Sequence, residues 1–304
     1  MLVNWIVFHN RCAPVRRHVL FVATCHDLIY VPSKFLDLVE FVVTVGVEKS
    51  VCVRVNYTTK LIKCRDNMKE FREAMRSAFR IPYFGHTFTL HNRPAPFDML
   101  NEWLVLDLSE ITRVSTHAIS FQPPHVIVFD MDSTLITEEE EVRIRDPRIY
   151  DSLDELRRHN CLLCLWSYGD REHVADSMKK TKLEGYFDVV LAEGNYQGVY
   201  SVRESSDRNY NKHYTATPFY LNVSDRELLP KSPRVVLWYL QQRGVNFIKT
   251  ITLVDDLPDN DYCYDNFVNL DRCPEPVDDW HIWYNQIVEF INYYDRVTRH
   301  YQTT

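Results

Sequence analysis

The stretch Val126-Ile-Val-Phe-Asp-Met-Asp-Ser-Thr134 decides the fold. Four apolar residues run straight into an acid, as in a strand buried on both faces that ends at a crevice. The chain then alternates. Asp146-Pro147, a cap followed by proline, predicts a helix to about His159. Cys161 to Trp166 predicts a second strand, and Ser167-Tyr-Gly-Asp170 leads into another helix. Phe187 to Ala192 predicts a third strand, and Ser232-Pro233 opens a helix that ends near Gly244. Thr250 to Val254 and Phe267 to Leu270 complete the strands, and a last helix begins at about Asp278. Strands alternating with helices predict an α/β fold, a Rossmann-like parallel sheet with helices on its faces.

The candidate reactive residues fall just beyond strand ends: Asp130 after the first, Ser167 after the second, Asp255-Asp256 after the fourth. Open α/β sheets bind ligands beyond the carboxyl ends of their strands, so these positions converge. Asp130, Asp132, Asp255 and Asp256 would then crowd four carboxylates into a small volume, which calls for a cation. Their hard oxygens suit Mg²⁺, and a Mg²⁺ site with open positions takes phosphate oxygens. Lys231 and the amides of the Ser167 loop, at a helix start, would hold the remaining phosphate charge. Lys179, Lys180 and Lys182 compete with Lys231, but the Pro-Lys-Ser-Pro setting before a helix favours Lys231. Asp259 is a candidate supporting acid.

Asp130-Met-Asp-Ser-Thr134 resembles the D-x-D-x-T signature of haloacid-dehalogenase-superfamily phosphatases. Ser167, Lys231 and Asp255-Asp256 resemble the second, third and fourth motifs of that superfamily, in order, over roughly residues 125–270. The resemblance implies that Asp130 is the nucleophile and Asp132 the general acid and base, and it places Thr134, Ser167 and Lys231 at the phosphate. It implies Mg²⁺ on Asp130, the backbone carbonyl of Asp132, and Asp256 or Asp255. About fifteen residues, including Glu138-Glu-Glu-Glu141, separate the first strand from its helix. They predict a flap, and the irregular stretch 193–229 is too short for a large cap. An uncapped site is similar to those of the C-terminal-domain phosphatases, which act on proteins. The whole chain also resembles a baculovirus nucleocapsid-assembly family of the same superfamily. That resemblance implies a phosphorylated, arginine-rich DNA-packaging protein as substrate, other nucleocapsid proteins as partners, and work in the host-cell nucleus and virion. The alternative is a structural nucleocapsid protein that uses the fold as a binding scaffold.

Outward from this half, Phe121-Gln-Pro-Pro124 marks a boundary. Residues 1–120 are expected to form a separate α+β domain, and residues 121–304 the phosphatase-like domain. His18 to Thr24 and Val51 to Thr58 predict strands; Asp66 to Phe79 predicts an amphipathic helix. Arg16-Arg17 reads as a solvated face or a small partner patch. The apolar run Phe35 to Val47 carries two acids and is shorter than the roughly 20 residues of a membrane span, so it predicts one buried element. The first residues lack the basic start and cleavage site of a signal peptide. Of the eight cysteines, Cys161 and Cys164 form a C-x-x-C pair inside a predicted strand, which reads as core packing and not as a zinc site. Residues 1–125 hold 15 Lys/Arg against 11 Asp/Glu, and residues 126–304 hold 20 against 31. The acidic half disfavours nucleic acid and favours a basic partner.

Overall fold

In the first half, short apolar runs build a mixed sheet. The computed structural model describes residues 1–13, 17–46, 56–116, 122–192 and 230–301. Most of the expected strand Val51 to Thr58, Arg16 and the whole stretch 193–229 lie outside them. The elements run β1 (Leu2–Asn10), β2 (Val19–Phe21), α1 (Ser33–Leu36), β3 (Phe41–Val45), β4 (Tyr57–Arg65), α2 (Met68–Phe79), β5 (Thr87–Thr89), β6 (Val105–Asp107) and α3 (Ile111–Thr116). The sheet order is β4-β1-β3-β2-β5-β6. β1 pairs antiparallel with β3 and β4, and the remaining pairs are parallel. Helix α2 starts where Asn67 accepts a hydrogen bond from the Glu70 amide (3.1 Å), a cap worth about 1 kcal/mol. Its Met68, Phe71 and Met75 are buried.

The apolar run Phe35 to Val47 proves to be two elements, because α1 stops at Leu36 and β3 starts at Phe41. Between them Glu40 is buried, and it accepts from the Arg17 amide (2.8 Å) and from the Arg17 guanidinium. Hydropathy alone cannot see that break, since the acid is satisfied by a residue 23 positions earlier. Arg17 is thus an internal tie, not a partner patch.

The second half continues β7 (His125–Phe129), α4 (Arg148–Arg158), β8 (Cys161–Trp166), α5 (Arg171–Lys180), β9 (Val189–Leu191), α6 (Pro233–Gln242), β10 (Ile251–Asp255), β11 (Asn266–Asn269) and α7 (Trp280–Arg299). Its sheet has the order β11-β10-β7-β8-β9, and every pair is parallel. The chain is therefore a mixed α/β protein with one mixed and one parallel sheet. Every residue of β7 and β10 is buried, as a central strand covered on both faces requires. On one face Ile127, Phe129, Leu163 and Leu165 share a core with Ile149 and Leu153 of α4 and with Trp280 and Ile287 of α7. Each such side chain contributes about 1.5–3 kcal/mol. Cys161 and Cys164 are buried thiols not joined in a disulfide, three positions apart on β8 and so on opposite faces. They cannot share a metal.

Contacts divide the chain into two units. One is Met1–Pro123 with Leu240–Lys249 and Thr298–Thr304; the other is Pro124–Tyr239 with Thr250–Val297. The first break coincides with the Pro-Pro pair. The return of Leu240–Lys249 to the first unit is not visible in a linear division at residue 120: Ile248 bridges Phe84, and Asn246 bonds the His86 ring at 3.0 Å. Among the described residues, no helix is long and apolar enough to cross a membrane.

Candidate active site

After β7 the connection runs to β8 on one side, while β10 lies on the other. The crevice between β7 and β10 is thus the point where strand order reverses, the usual ligand position in open α/β sheets. Asp130 follows β7 there, and its amide donates to the Val254 carbonyl (2.9 Å), extending the ladder by one bond. Asp255, the last residue of β10, is 0% exposed. Between them lies the Lys231 ammonium, 1% exposed, donating to Asp130 and to Asp255 Oδ2 (2.8 Å). A buried ammonium persists only when paired in this way. Asp255 Oδ1 also accepts from the Leu257 amide (2.8 Å), and Asn260 Nδ2 donates to both of its oxygens.

One carboxylate oxygen each from Asp130, Asp255 and Asp256 lie within 4.8 Å of one another. Burial pushes the Asp130 carboxyl up to about 7 against the pull of Lys231, and Asp255 and Asp256 add to the rise. Burial, then Asp255, pushes Asp256 up as well. Burial works against the Lys231 ammonium, but Asp130 and Asp255 together outweigh it and hold the amine above its ordinary range. One ammonium opposes three acids, so a divalent cation fits both the charge and the hard oxygen donors. Asp255 is already engaged by four donor contacts, which leaves Asp130 and Asp256 as the freer oxygens.

The Asp132 side chain points elsewhere. Its Oδ2 accepts from the Ser167 hydroxyl (2.8 Å), and its Oδ1 lies 2.6 Å from His173 Nε2. It is outside the three-acid cluster, so its side chain does not join those oxygens as expected. Ser167 is buried behind β8 and takes the Gly169 amide on its hydroxyl (2.9 Å). Asp170 caps α5 by accepting from the His173 amide (2.8 Å). Thr134 is wholly buried and its hydroxyl finds no partner among the described residues. Lys180 pairs with Asp176 on α5, and Lys179 and Lys182 are likewise exposed. Asp259 is also exposed, and the supporting group at Asp255 is its neighbour Asn260.

The stretch between β7 and α4 is a small hairpin flap, with Ile136 bridged to Ile144. Buried Arg145 anchors it. Its guanidinium is bidentate to Asp279 (2.8 and 2.6 Å) and donates to the carbonyls of Ser133 (3.1 Å) and Asp271 (2.9 Å). Ser133 has a φ of 59°, so this grip holds a left-handed residue in the turn after β7. Sequence reasoning missed His173, Asn260 and Arg145. The spacing Asp170-x-x-His173 at a helix start was the one signal for His173, since a cap fixes the direction of the third helical residue.

A family model described as "Protein of unknown function (DUF705)" matches residues 3–299. A relative from Cryptophlebia leucotreta granulosis virus, "Uncharacterized 41.0 kDa protein in P143-LEF5 intergenic region", is 49% identical over 98% of this chain and 87% of its own. The "Uncharacterized 38.0 kDa protein in P143-LEF5 intergenic region" of Autographa californica nuclear polyhedrosis virus is 38% identical over 96% and 97%. The "Uncharacterized 36.0 kDa protein" of Orgyia pseudotsugata multicapsid polyhedrosis virus is 36% identical over 97% of each chain. The relatives are baculovirus proteins of nearly the same extent as this one.

Proposed function

The chain belongs to this DUF705 family of baculovirus proteins, and from that premise we propose that it is a Mg²⁺-dependent phosphoprotein phosphatase of the haloacid-dehalogenase type. The observation that carries the reading is the arrangement at the crevice: Asp130 beside Lys231 and Asp256, with Asp132 two residues on and held by a different set of partners. On this reading one acid serves in attack and the other in proton transfer.

Asp130 attacks the phosphorus of a phosphoserine or phosphothreonine, and the ester P–O bond breaks as Asp132 gives its proton to the leaving oxygen. Water then loses a proton to Asp132 and attacks the phosphorus of the aspartyl-phosphate, which releases inorganic phosphate and restores both acids. Lys231 and the Ser167 loop steady the phosphate charge. Mg²⁺, held by Asp130, Asp256 and the Asp132 carbonyl, would supply the charge neutralisation that lets one anion approach another. The excess of acid over base in residues 126–304 favours a basic phosphoprotein. The assignment to nucleocapsid assembly in the host-cell nucleus, with an arginine-rich packaging protein as substrate, rests on the family resemblance alone.

The test is to trap the intermediate. The full chain with Mg²⁺ should form a beryllofluoride adduct on Asp130 and should hydrolyse an aryl phosphate in a reaction that stops with EDTA. Full-rate turnover in EDTA, or an adduct elsewhere, overturns the reading. Binding of nucleocapsid protein with neither adduct nor turnover favours the scaffold instead.

A further inference from the structure

The proposed mechanism asks Asp132 to face the leaving group, but both of its oxygens are engaged on the α5 side. Ser167 Oγ donates to Oδ2 at 2.8 Å, and His173 Nε2 lies 2.6 Å from Oδ1. An ionised carboxylate only accepts, so Nε2 carries the hydrogen in this contact. Both Asp132 and His173 side chains are about two-fifths exposed, so their pairing is not forced by burial. It is built by the local chain. Asp170 caps α5 through the His173 amide, which fixes the start of the helix and the direction of the ring. Gly169 clears space for that ring: a Cβ there would come within 2.6 Å of His173 Cδ2. The glycine is needed for that approach, not for an unusual backbone angle.

We infer that His173 is a positioning residue for the general acid, holding Asp132 Oδ1 while Ser167 switches partner from Asp132 Oδ2 to the substrate phosphate. The inference rests on the phosphatase reading. The Ser167 hydroxyl has one hydrogen. When it turns to the phosphate, Oδ2 loses that anchor and is left to face the leaving oxygen. Without His173 the carboxyl would lose both anchors at that moment and would rotate away from the reacting bond. Phosphate arrival and the readiness of the acid are thereby linked through one hydroxyl, and His173 lets the carboxyl survive the exchange in place.

This role has a signature that a structural role lacks. A serine alkoxide is a poor leaving group and needs its proton, whereas a nitrophenolate leaves without one. The experiment compares His173→Ala and His173→Gln with the wild-type full chain in Mg²⁺, using an arginine-flanked phosphoserine peptide and nitrophenyl phosphate. His173→Ala should lower kcat on the peptide by about 10–10²-fold, below the full worth of general acid catalysis, with KM little changed. With nitrophenyl phosphate the first-turnover release of nitrophenolate, which precedes the attack of water on the intermediate, should stay within about threefold. His173→Gln keeps an N–H donor and should recover part of the peptide rate. Equal first-turnover losses on both substrates, or no loss on the peptide, overturn the assignment. A wild-type chain inert toward both substrates overturns the phosphatase reading, and this inference with it.

Discussion

At the scale of single residues, the buried trio Asp130, Lys231 and Asp255 makes an asymmetric prediction. Asp130→Asn removes one acid and leaves Lys231 paired with Asp255 at 2.8 Å. The fold should survive, and aryl phosphatase activity should fall by at least ~10²–10⁴. Lys231→Ala instead strands two buried acids, which typically costs about 3–5 kcal/mol. Urea denaturation of the two variants tests this, and equal stabilities would show that the ammonium is not their common partner. Buried His86 gives a second residue-scale prediction. Burial pushes its pKa down to about 4 from 6.5, against the hydrogen bond to Asn246. The unfolded state therefore binds the proton first. The stability His86 contributes is complete above about pH 6.5 and is lost as pH falls towards 4, by about 3 kcal/mol in all. Denaturation at pH 7, 5.5 and 4 should show this slope, and His86→Gln, which cannot titrate, should flatten it.

At the scale of elements, the flap depends on one buried guanidinium. Arg145→Met would leave Asp279, and the carbonyls of Ser133 and Asp271, without the donors that now join them. Breaking such a set costs about 3–5 kcal/mol. Because Ser133 is left-handed, the loss should first appear in the turn that carries Asp132. Amide hydrogen exchange should rise across residues 131–145 before the β8 amides respond; a uniform rise would refute a local role. The elements themselves were legible because their signals are local. The apolar runs of β7, β8 and β10 and the prolines before α4 and α6 declare themselves within a few residues. Site residues at strand ends were legible for the same reason, since one topological rule gathers them. Arg145 was not, because its partner Asp279 lies 134 positions away. His173 was not, because its contact with Asp132 spans 41 positions and an exposed histidine carries no periodicity. The break between α1 and β3 was hidden within a continuous apolar run.

At the scale of the whole molecule, charge is divided as unevenly as the chain. The boundary at Pro123 was readable from prolines, whereas the return of Leu240–Lys249 to the first unit was not, because the pairing of Phe84 with Ile248 leaves no local mark. Residues 126–304, which contain the candidate site, hold 31 acids against 20 bases. An acidic field of this kind raises the encounter rate of a basic substrate and is screened over a Debye length of about 8–10 Å near physiological salt. Among the described residues the flap is a short hairpin that offers a small metabolite little enclosure, whereas a long basic peptide can draw on the surrounding charge. The kcat/KM for an arginine-flanked phosphoserine peptide should therefore fall severalfold as NaCl rises from about 20 to 300 mM, mostly through the association rate. For an aryl phosphate without basic flanks the same change in salt should have much less effect, because that substrate carries no positive charge for the field to attract. Initial rates for both substrates at the two salt levels decide the matter. Equal salt sensitivity, or a clear preference for a sugar phosphate, would remove the basic-protein substrate and leave the acidic surface without a part in recognition.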